Sequence, residues 1–157
     1  MVEDNNAWAE SVKNWISNNF PDLLSSEYKV TSPDTIDYNC VAWAAEDDQQ
    51  WWWPDAQNEE YWPPNVLRKP TLEAFVQAFQ TLGYEVCQVD NLEDGFQKIA
   101  IYTGSDEKPK HVARQLPDGR WTSKLGQYED IEHYSLQGIA GEPGYGKVTC
   151  FMKRPLK

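Results

Sequence analysis

The C-terminal half of the chain consists of short runs typical of β-strands, and this pattern constrains the fold more than any other feature. From Tyr84 onward the runs are YEVCQV, QKIAIYT, HVARQL, RWTSKL and KVTCFMK. They are separated by the turn-rich segments DNLEDG, GSDEKPK, PDG and GEPGYG. Short runs bounded by Gly, Pro, Asn and Asp are typical of strands joined by hairpins, and hairpins join antiparallel neighbours. The sequence therefore predicts an antiparallel sheet in this half.

The N-terminal half predicts helices instead. In NNAWAESVKNWISNNF and in TLEAFVQAFQTLG the apolar residues recur at helical spacing, and a short helix begins near Cys40. Helices followed by an antiparallel sheet indicate the α+β class, with N-terminal helices packed on the sheet. A chain of 157 residues fits one domain, which we place at 1–157.

Residues 49–70 join two of these helices and oppose regular structure. The segment contains Trp51, Trp52, Trp53, Tyr61, Trp62 and four prolines, and proline disrupts both helices and sheet ladders. Such aromatic side chains can cover a small core, and they can also offer flat faces on which a ligand stacks. Both interpretations remain open at this point.

The charge of the chain is concentrated at its N-terminal end. The formal net charge is −11, and residues 1–66 hold 2 of the 14 Lys and Arg but 13 of the 25 Asp and Glu. An acidic surface repels nucleic acid and anionic membranes, while a basic protein partner is permitted. Solubility alone is the alternative explanation. No leader or apolar span is visible, so we expect a cytoplasmic protein, with secretion by another route left open.

The three cysteines, Cys40, Cys87 and Cys150, are an odd number, widely spaced and without a CxxC pair. This pattern favours neither a disulfide framework nor a zinc site, and we expect no metal and no cofactor. Cys40 differs from the other two because it lies at a predicted helix start after Asn39. A helix N-terminus and a nearby imidazolium both lower a thiol pKa, and the candidate partners are the two histidines of the chain, His111, which opens the run HVARQL, and His133.

The hairpin HVARQLPDGRWTSKL allows a geometric prediction. If PDG forms a three-residue loop with Gly119 in the left-handed conformation, Leu116 lies opposite Arg120. His111 and Ser123 then lie on the same face of the sheet. A two-residue turn would instead bring Thr122 and Lys124 to that face.

The order of YNCVAWA, HVARQL and GRWTSKLG, over residues 36–126, resembles the catalytic half of NlpC-type and CHAP-type cell-wall peptidases of the papain-like superfamily. The resemblance implies a papain-like core of the NlpC type. It implies that Cys40 is the nucleophile and His111 the base. It also implies a third polar residue on the next strand, Ser123 by register, with Asp130 or Glu132 as alternatives.

Together these observations predict a cysteine-dependent amidohydrolase or peptidase that acts on a peptide or amide substrate. Cys40 Sγ and the His111 ring are expected within about 4 Å of each other. The expected substrate-binding residues are Tyr38, Trp51, Trp52, Trp53 and Trp62. The rival hypothesis is a non-enzymatic acidic binding or immunity-type protein, or a degenerate member of the same fold.

Overall fold

A computed structural model describes residues 14–16, 18–20, 28–31, 37–125, 130–133, 135–141 and 145–156. The strands are β1 (Tyr28–Val30), β2 (Glu85–Cys87), β3 (Phe96–Thr103), β4 (Pro109–Gln115), β5 (Trp121–Lys124), β6 (Asp130–His133) and β7 (Lys147–Pro155). The helices are α1 (Cys40–Ala44), α2 (Leu72–Gln80) and a 3₁₀ turn (Leu136–Ile139). Residues 14–16 and 18–19 are also helical, and the start of this first predicted helix lies outside the described residues.

The strands form one seven-stranded sheet in the order β1-β6-β5-β4-β3-β7-β2. Every paired neighbour is antiparallel. The α+β class and the antiparallel sheet are therefore confirmed, and each of the five predicted runs contains a strand. The sequence does not predict β6, and β1 lies in a stretch whose Ser, Pro and Asp residues indicate a loop.

The predicted hairpin register between β4 and β5 is confirmed. Arg114 lies opposite Thr122, and the Leu116 amide donates to the Arg120 carbonyl at 2.7 Å. Gly119 has a φ of +93°, a conformation that glycine adopts without the steric cost of a Cβ. The three-residue loop therefore sets which side chains of the two strands share a face.

The sheet has two buried faces. Adjacent side chains of a strand point to opposite faces, so Ile101 and Tyr102, or Val112 and Ala113, lie on different sides. One side, here called the helix face, carries a core that includes residues of α1 and α2; its members include Cys40, Val41, Phe75, Phe79, Ile99, Ile101, Val112 and Met152. The other side, here called the opposite face, carries Ile16, Phe20, Ala100, Tyr102, Ala113, Trp121, Ile131 and Leu136.

Helix α1 is fixed to the helix face by its own polar groups. The Trp43 indole N–H donates to Thr122 Oγ1 on β5 at 2.9 Å. Asn39 is the N-cap of α1, and its Oδ1 accepts from the Ala42 amide at 3.1 Å. The same oxygen accepts from the Trp52 amide, and Asn39 Nδ2 donates to the Trp52 carbonyl at 2.8 Å. One side chain therefore joins the start of α1 to the Trp-rich segment.

Candidate functional site

Cys40 is the first residue of α1 and is 7% exposed. Burial raises the pKa of its thiol to about 11. Hydrogen bonding from the backbone of Val112, Val41 and Cys40 itself, and the Lys124 cation, act in the other direction but only partly offset the burial. The thiol is therefore protonated at neutral pH, and a protonated thiol is a poor nucleophile.

His111 lies on the opposite face. Val112 belongs to the core of the helix face, so the neighbouring His111 must point to the other side. Its ring stacks on Tyr145 with centroids 4.2 Å apart and an interplanar angle of 6°. The edge of Tyr102 lies against it at a centroid distance of 5.5 Å.

The hydrogen bond that the predicted pairing of Cys40 with His111 requires is therefore not formed. Among the described residues, neither ring nitrogen of His111 has a hydrogen-bond partner. Burial lowers the pKa of His111 well below its ordinary value, and His133 lowers it further. The physical reason for the error is strand alternation: Cys40 reaches the backbone of β4 at Val112 from one side, while the His111 ring leaves β4 on the other side.

Ser123 shares a face with His111, as the register predicts, but its hydroxyl is bonded to a different histidine. Ser123 Oγ lies 2.8 Å from His133 Nε2, and His133 Nδ1 lies 3.0 Å from the Ser135 carbonyl oxygen. Burial lowers the pKa of His133 to about 4, although the bond to Ser135 opposes this. Ser123 therefore orients a neutral buried His133 and does not orient His111.

Asp130 lies on the helix face, so it does not orient His111 either. Its Oδ2 accepts from the Tyr38 hydroxyl at 2.5 Å. Lys124 lies directly opposite Asp130 in the ladder between β5 and β6, and Lys124 Nζ is 5.4 Å from the centroid of the Tyr38 ring. The structure thus groups Tyr38, Lys124 and Asp130 in a buried cluster on the same face as Cys40.

No motif in the sequence marks Lys124 as a site residue. Lysine is rarely fully buried, yet Lys124 has 0% exposure. The signal that could have identified it is alternation along β5, because Trp121, Ser123 and Leu125 share one face and leave Lys124 on the other. Tyr145, which stacks on His111, was also not predicted, because no local sequence pattern indicates this contact.

The aromatic residues expected to bind substrate lie mainly in the core. Trp52 and Trp62 are each 5% exposed, and the Trp53 and Trp62 rings contact Phe75 of α2 at centroid distances of 5.5 and 5.2 Å. Tyr38, 8% exposed, stacks on Trp43. Buried rings have no free face for a ligand, so the substrate-wall prediction is wrong for Tyr38, Trp52 and Trp62, and the core-covering alternative explains the segment. Trp51 and Trp53 are half-buried.

The part of the chain that the structure describes lacks the features of two further classes of site. It contains no group of three or more His, Cys, Asp or Glu residues placed to hold a metal ion. It also contains no helix that combines the length and apolar character needed to cross a membrane.

Comparison with known proteins places the chain in a family without assigning a role. Residues 29–153 match the model of a domain of unknown function, DUF7689, so the chain belongs to that family. No curated protein and no solved structure matches the sequence.

Proposed function

We propose that this domain is a non-enzymatic acidic binding protein, built on a degenerate papain-like core of the NlpC type, and that it binds a basic protein. The lack of a hydrogen bond between Cys40 and His111 supports the loss of catalysis, because nucleophile and base must come within hydrogen-bond reach of each other. The high pKa of the Cys40 thiol supports the same conclusion. The binding role is supported by the surface described next.

The acidic loop, defined here as residues 46–60, is a folded part of the surface. It carries six carboxylates and no Lys or Arg: Glu46, Asp47, Asp48, Asp55, Glu59 and Glu60. Two of the six organise the loop. Asp55 accepts from the amides of Glu59 and Glu60, and Asp47 accepts from the Trp52 indole at 2.8 Å.

Hydrogen bonds keep both organising carboxylates ionised. The Glu59 amide is the main cause that lowers the pKa of Asp55. For Asp47, burial raises the pKa, but hydrogen bonds from Trp52, Gln49 and Gln50 outweigh it and the pKa is lowered. The loop therefore holds its shape and its charge at neutral pH.

The proposal rests on carboxylates of the acidic loop that, in the described part of the chain, have no cation partner. Several acids elsewhere are matched: Glu93 pairs with Lys98 and Lys153, and Asp118 pairs with Arg120. Two of the six acids of the acidic loop are paired, Glu46 with Arg154 and Asp55 with Arg68. Among the described residues, no ion pair includes the other four, Asp47, Asp48, Glu59 and Glu60. A group of exposed carboxylates without cation partners favours a partner of opposite charge and speeds its association.

A charge-matched pair of variants tests the proposal, with a lysine-rich synthetic peptide as the probe. The triple variant Asp48→Asn, Glu59→Gln, Glu60→Gln removes the three exposed acids of the loop that form no ion pair. The control Glu73→Gln, Asp90→Asn, Asp94→Asn removes three exposed acids elsewhere and leaves the same net charge.

Fluorescence anisotropy at low salt should show the probe binding the loop variant about tenfold more weakly than the native protein, a difference of about 1.4 kcal/mol. The control should change affinity by less than about twofold, and native binding should weaken steeply with added salt. Equal losses in the two variants would show that net charge alone attracts the peptide, and the proposed binding surface would have to be abandoned.

A cysteine-dependent amidohydrolase is the second candidate, and one observation favours it. The His111 ring is buried with both nitrogens lacking a partner. Buried polar groups without hydrogen bonds are costly and uncommon, and catalytic roles are among their explanations. Catalysis would require a rearrangement that brings the imidazole to the Cys40 side of β4. The reactivity of Cys40, treated in the Discussion, separates the two candidates.

A further inference from the structure

A groove adjoins the acidic loop at the point where α1 ends. It is a cavity of about 440 Å³, a size within the range of about 300–1,000 Å³ that is typical of ligand pockets. Its apolar wall consists of Ala45, the C-cap of α1, together with Leu82, Pro155 and Leu156. Glu46, the first residue of the acidic loop, also lines the cavity. The groove and the acidic loop therefore form one continuous surface.

The charged groups that line the groove are bonded to the protein itself. Arg154 pairs with Glu46 and donates to the Leu82 carbonyl at 3.0 Å. It also donates to Gln97, and its guanidinium lies 4.6 Å from the centroid of the Tyr84 ring. One cation and one anion line the groove, so its lining residues carry no net charge. A charged ligand group would have to compete with this ion pair, whereas an apolar group would not.

The apolar wall of the groove is open to solvent at Leu156. This side chain is 52% exposed, although the backbone of the residue is fixed by a bond of 2.8 Å from its amide to the Gly95 carbonyl. Pro155 beside it is exposed as well. An apolar side chain that enters the cavity removes this surface from water, and such burial is favourable. The groove therefore suits a single apolar side chain.

An exposed carboxylate outside the groove lies close to it. Asp48 follows Glu46 by two residues, so the two Cα atoms are at most about 7 Å apart. Among the described residues, no ion pair includes Asp48. A segment with an apolar residue in the groove would place its neighbouring residues near this carboxylate, where a cation is favoured. A second copy of the chain is disfavoured there, because two copies of net charge −11 repel each other.

We propose that the groove receives an apolar side chain of the same basic partner, so that the partner's binding segment carries an aliphatic or aromatic residue among its lysines and arginines. This inference rests on the proposed function and adds an anchor to it. The acidic loop attracts the cations, and the groove buries the apolar residue. An apolar anchor in a pocket with polar contacts around it is the usual arrangement of residues that dominate binding energy.

Two labelled peptides of equal charge test the anchor. One is a lysine-rich peptide with a single central leucine, and the other has serine at that position. Fluorescence anisotropy at low salt should show the native protein binding the leucine peptide about tenfold more tightly than the serine peptide. In Leu156→Gln this preference should fall below about twofold. Leu92→Gln is the matched control, because Leu92 is 47% exposed and does not line the groove, and it should keep the preference.

The outcomes separate the anchor from the proposed function. Equal affinity of the native protein for the two peptides, with both weakened by Asp48→Asn, Glu59→Gln, Glu60→Gln, would overturn the anchor and leave the basic partner supported. Absence of binding of either peptide would overturn both proposals. A leucine preference that persists in Leu156→Gln would contradict the assignment to this groove.

Sedimentation velocity of the native protein tests the alternative occupant, a second copy of the chain. The protein should sediment as a monomer. A dimer that dissociates in Leu156→Gln but not in Leu92→Gln would assign the groove to a second copy and would overturn the proposal.

Discussion

Lowering the pH from 7 to 4 should reduce the free energy of unfolding by about 3 kcal/mol or more, because two histidines are buried in the neutral form. Burial lowers the pKa of His133 to about 4, whereas an unfolded histidine titrates near 6.5. As the pH falls below about 6.5 the unfolded chain binds the proton first. The stability is therefore fully present above pH 6.5 and is lost between 6.5 and 4.

The expected loss in the free energy of unfolding follows from the lowered pKa of His133. A difference of about 2.5 pKa units at about 1.4 kcal/mol per unit gives about 3 kcal/mol for His133 alone. His111 acts in the same direction, because burial holds its pKa well below the ordinary value. Urea unfolding at pH 7, 6, 5 and 4 measures the loss directly.

The variant His111→Phe isolates one of the two contributions. The phenyl ring can keep the stacking on Tyr145, and no hydrogen bond is lost because neither imidazole nitrogen has a partner among the described residues. Its free energy of unfolding should therefore change little at pH 7 and should fall less steeply toward pH 4 than in the native protein. Identical pH profiles for the two proteins would contradict the burial of a neutral His111.

Replacing Trp62 by alanine should cost about 4 kcal/mol of stability. The side chain is 5% exposed, its ring contacts Phe75 at a centroid distance of 5.2 Å, and its indole N–H donates to the Leu67 carbonyl at 2.9 Å. Truncation of a buried tryptophan removes this packing and leaves a cavity, which typically costs about 3 to 5 kcal/mol. Equilibrium unfolding in urea measures the difference.

Tyr61→Ala is the matched control, since Tyr61 is the neighbouring aromatic residue and is 37% exposed. The loss of stability in Tyr61→Ala should be clearly smaller than in Trp62→Ala, because much of the Tyr61 ring already contacts solvent. A small and equal loss for Trp62→Ala and Tyr61→Ala would show that the aromatic segment does not complete the core. The hypothesis of an aromatic ligand wall would then regain its support.

Local patterns in the sequence predict much of this fold. The turn residues in PDG determine the hairpin register, and the apolar stripe of TLEAFVQAFQTLG predicts α2 between its cap at Thr71 and the turn at Gly83. Both features depend on residues close together in the chain. A turn or a helix cap can be predicted from its own residues without knowledge of the tertiary structure.

The failed pairing of Cys40 with His111 depends on information that the sequence does not carry locally. Residues 98–103 of β3 are all buried, and both Val112 and Ala113 of β4 are buried as well, because each face of the sheet is covered. With no polar face to mark the solvent side, periodicity shows that Val112 and His111 point in opposite directions but not which of them meets α1. Tertiary packing decides that question.

The buried polar residues were not predicted, for a related reason. Lys124 and Asp130 are ordinarily surface residues, yet both are buried beside Tyr38, which lies far away in the chain. The Trp-rich segment is similar, since Asn39 and Phe75 hold it in place through contacts that no local pattern reveals. Composition indicates an irregular segment there but not what the segment covers.

The reactivity of Cys40 in the folded protein tests the central claim most directly. Iodoacetamide labelling across pH 6 to 10, read out by peptide mass spectrometry, should leave Cys40 unlabelled at pH 7 while the partly exposed Cys87 reacts. Cys40 should react only near pH 10 and above, or on unfolding, because burial raises the pKa of its thiol to about 11. Rapid alkylation of Cys40 at pH 7 that is lost in His111→Phe would contradict the account and establish an active cysteine–histidine pair.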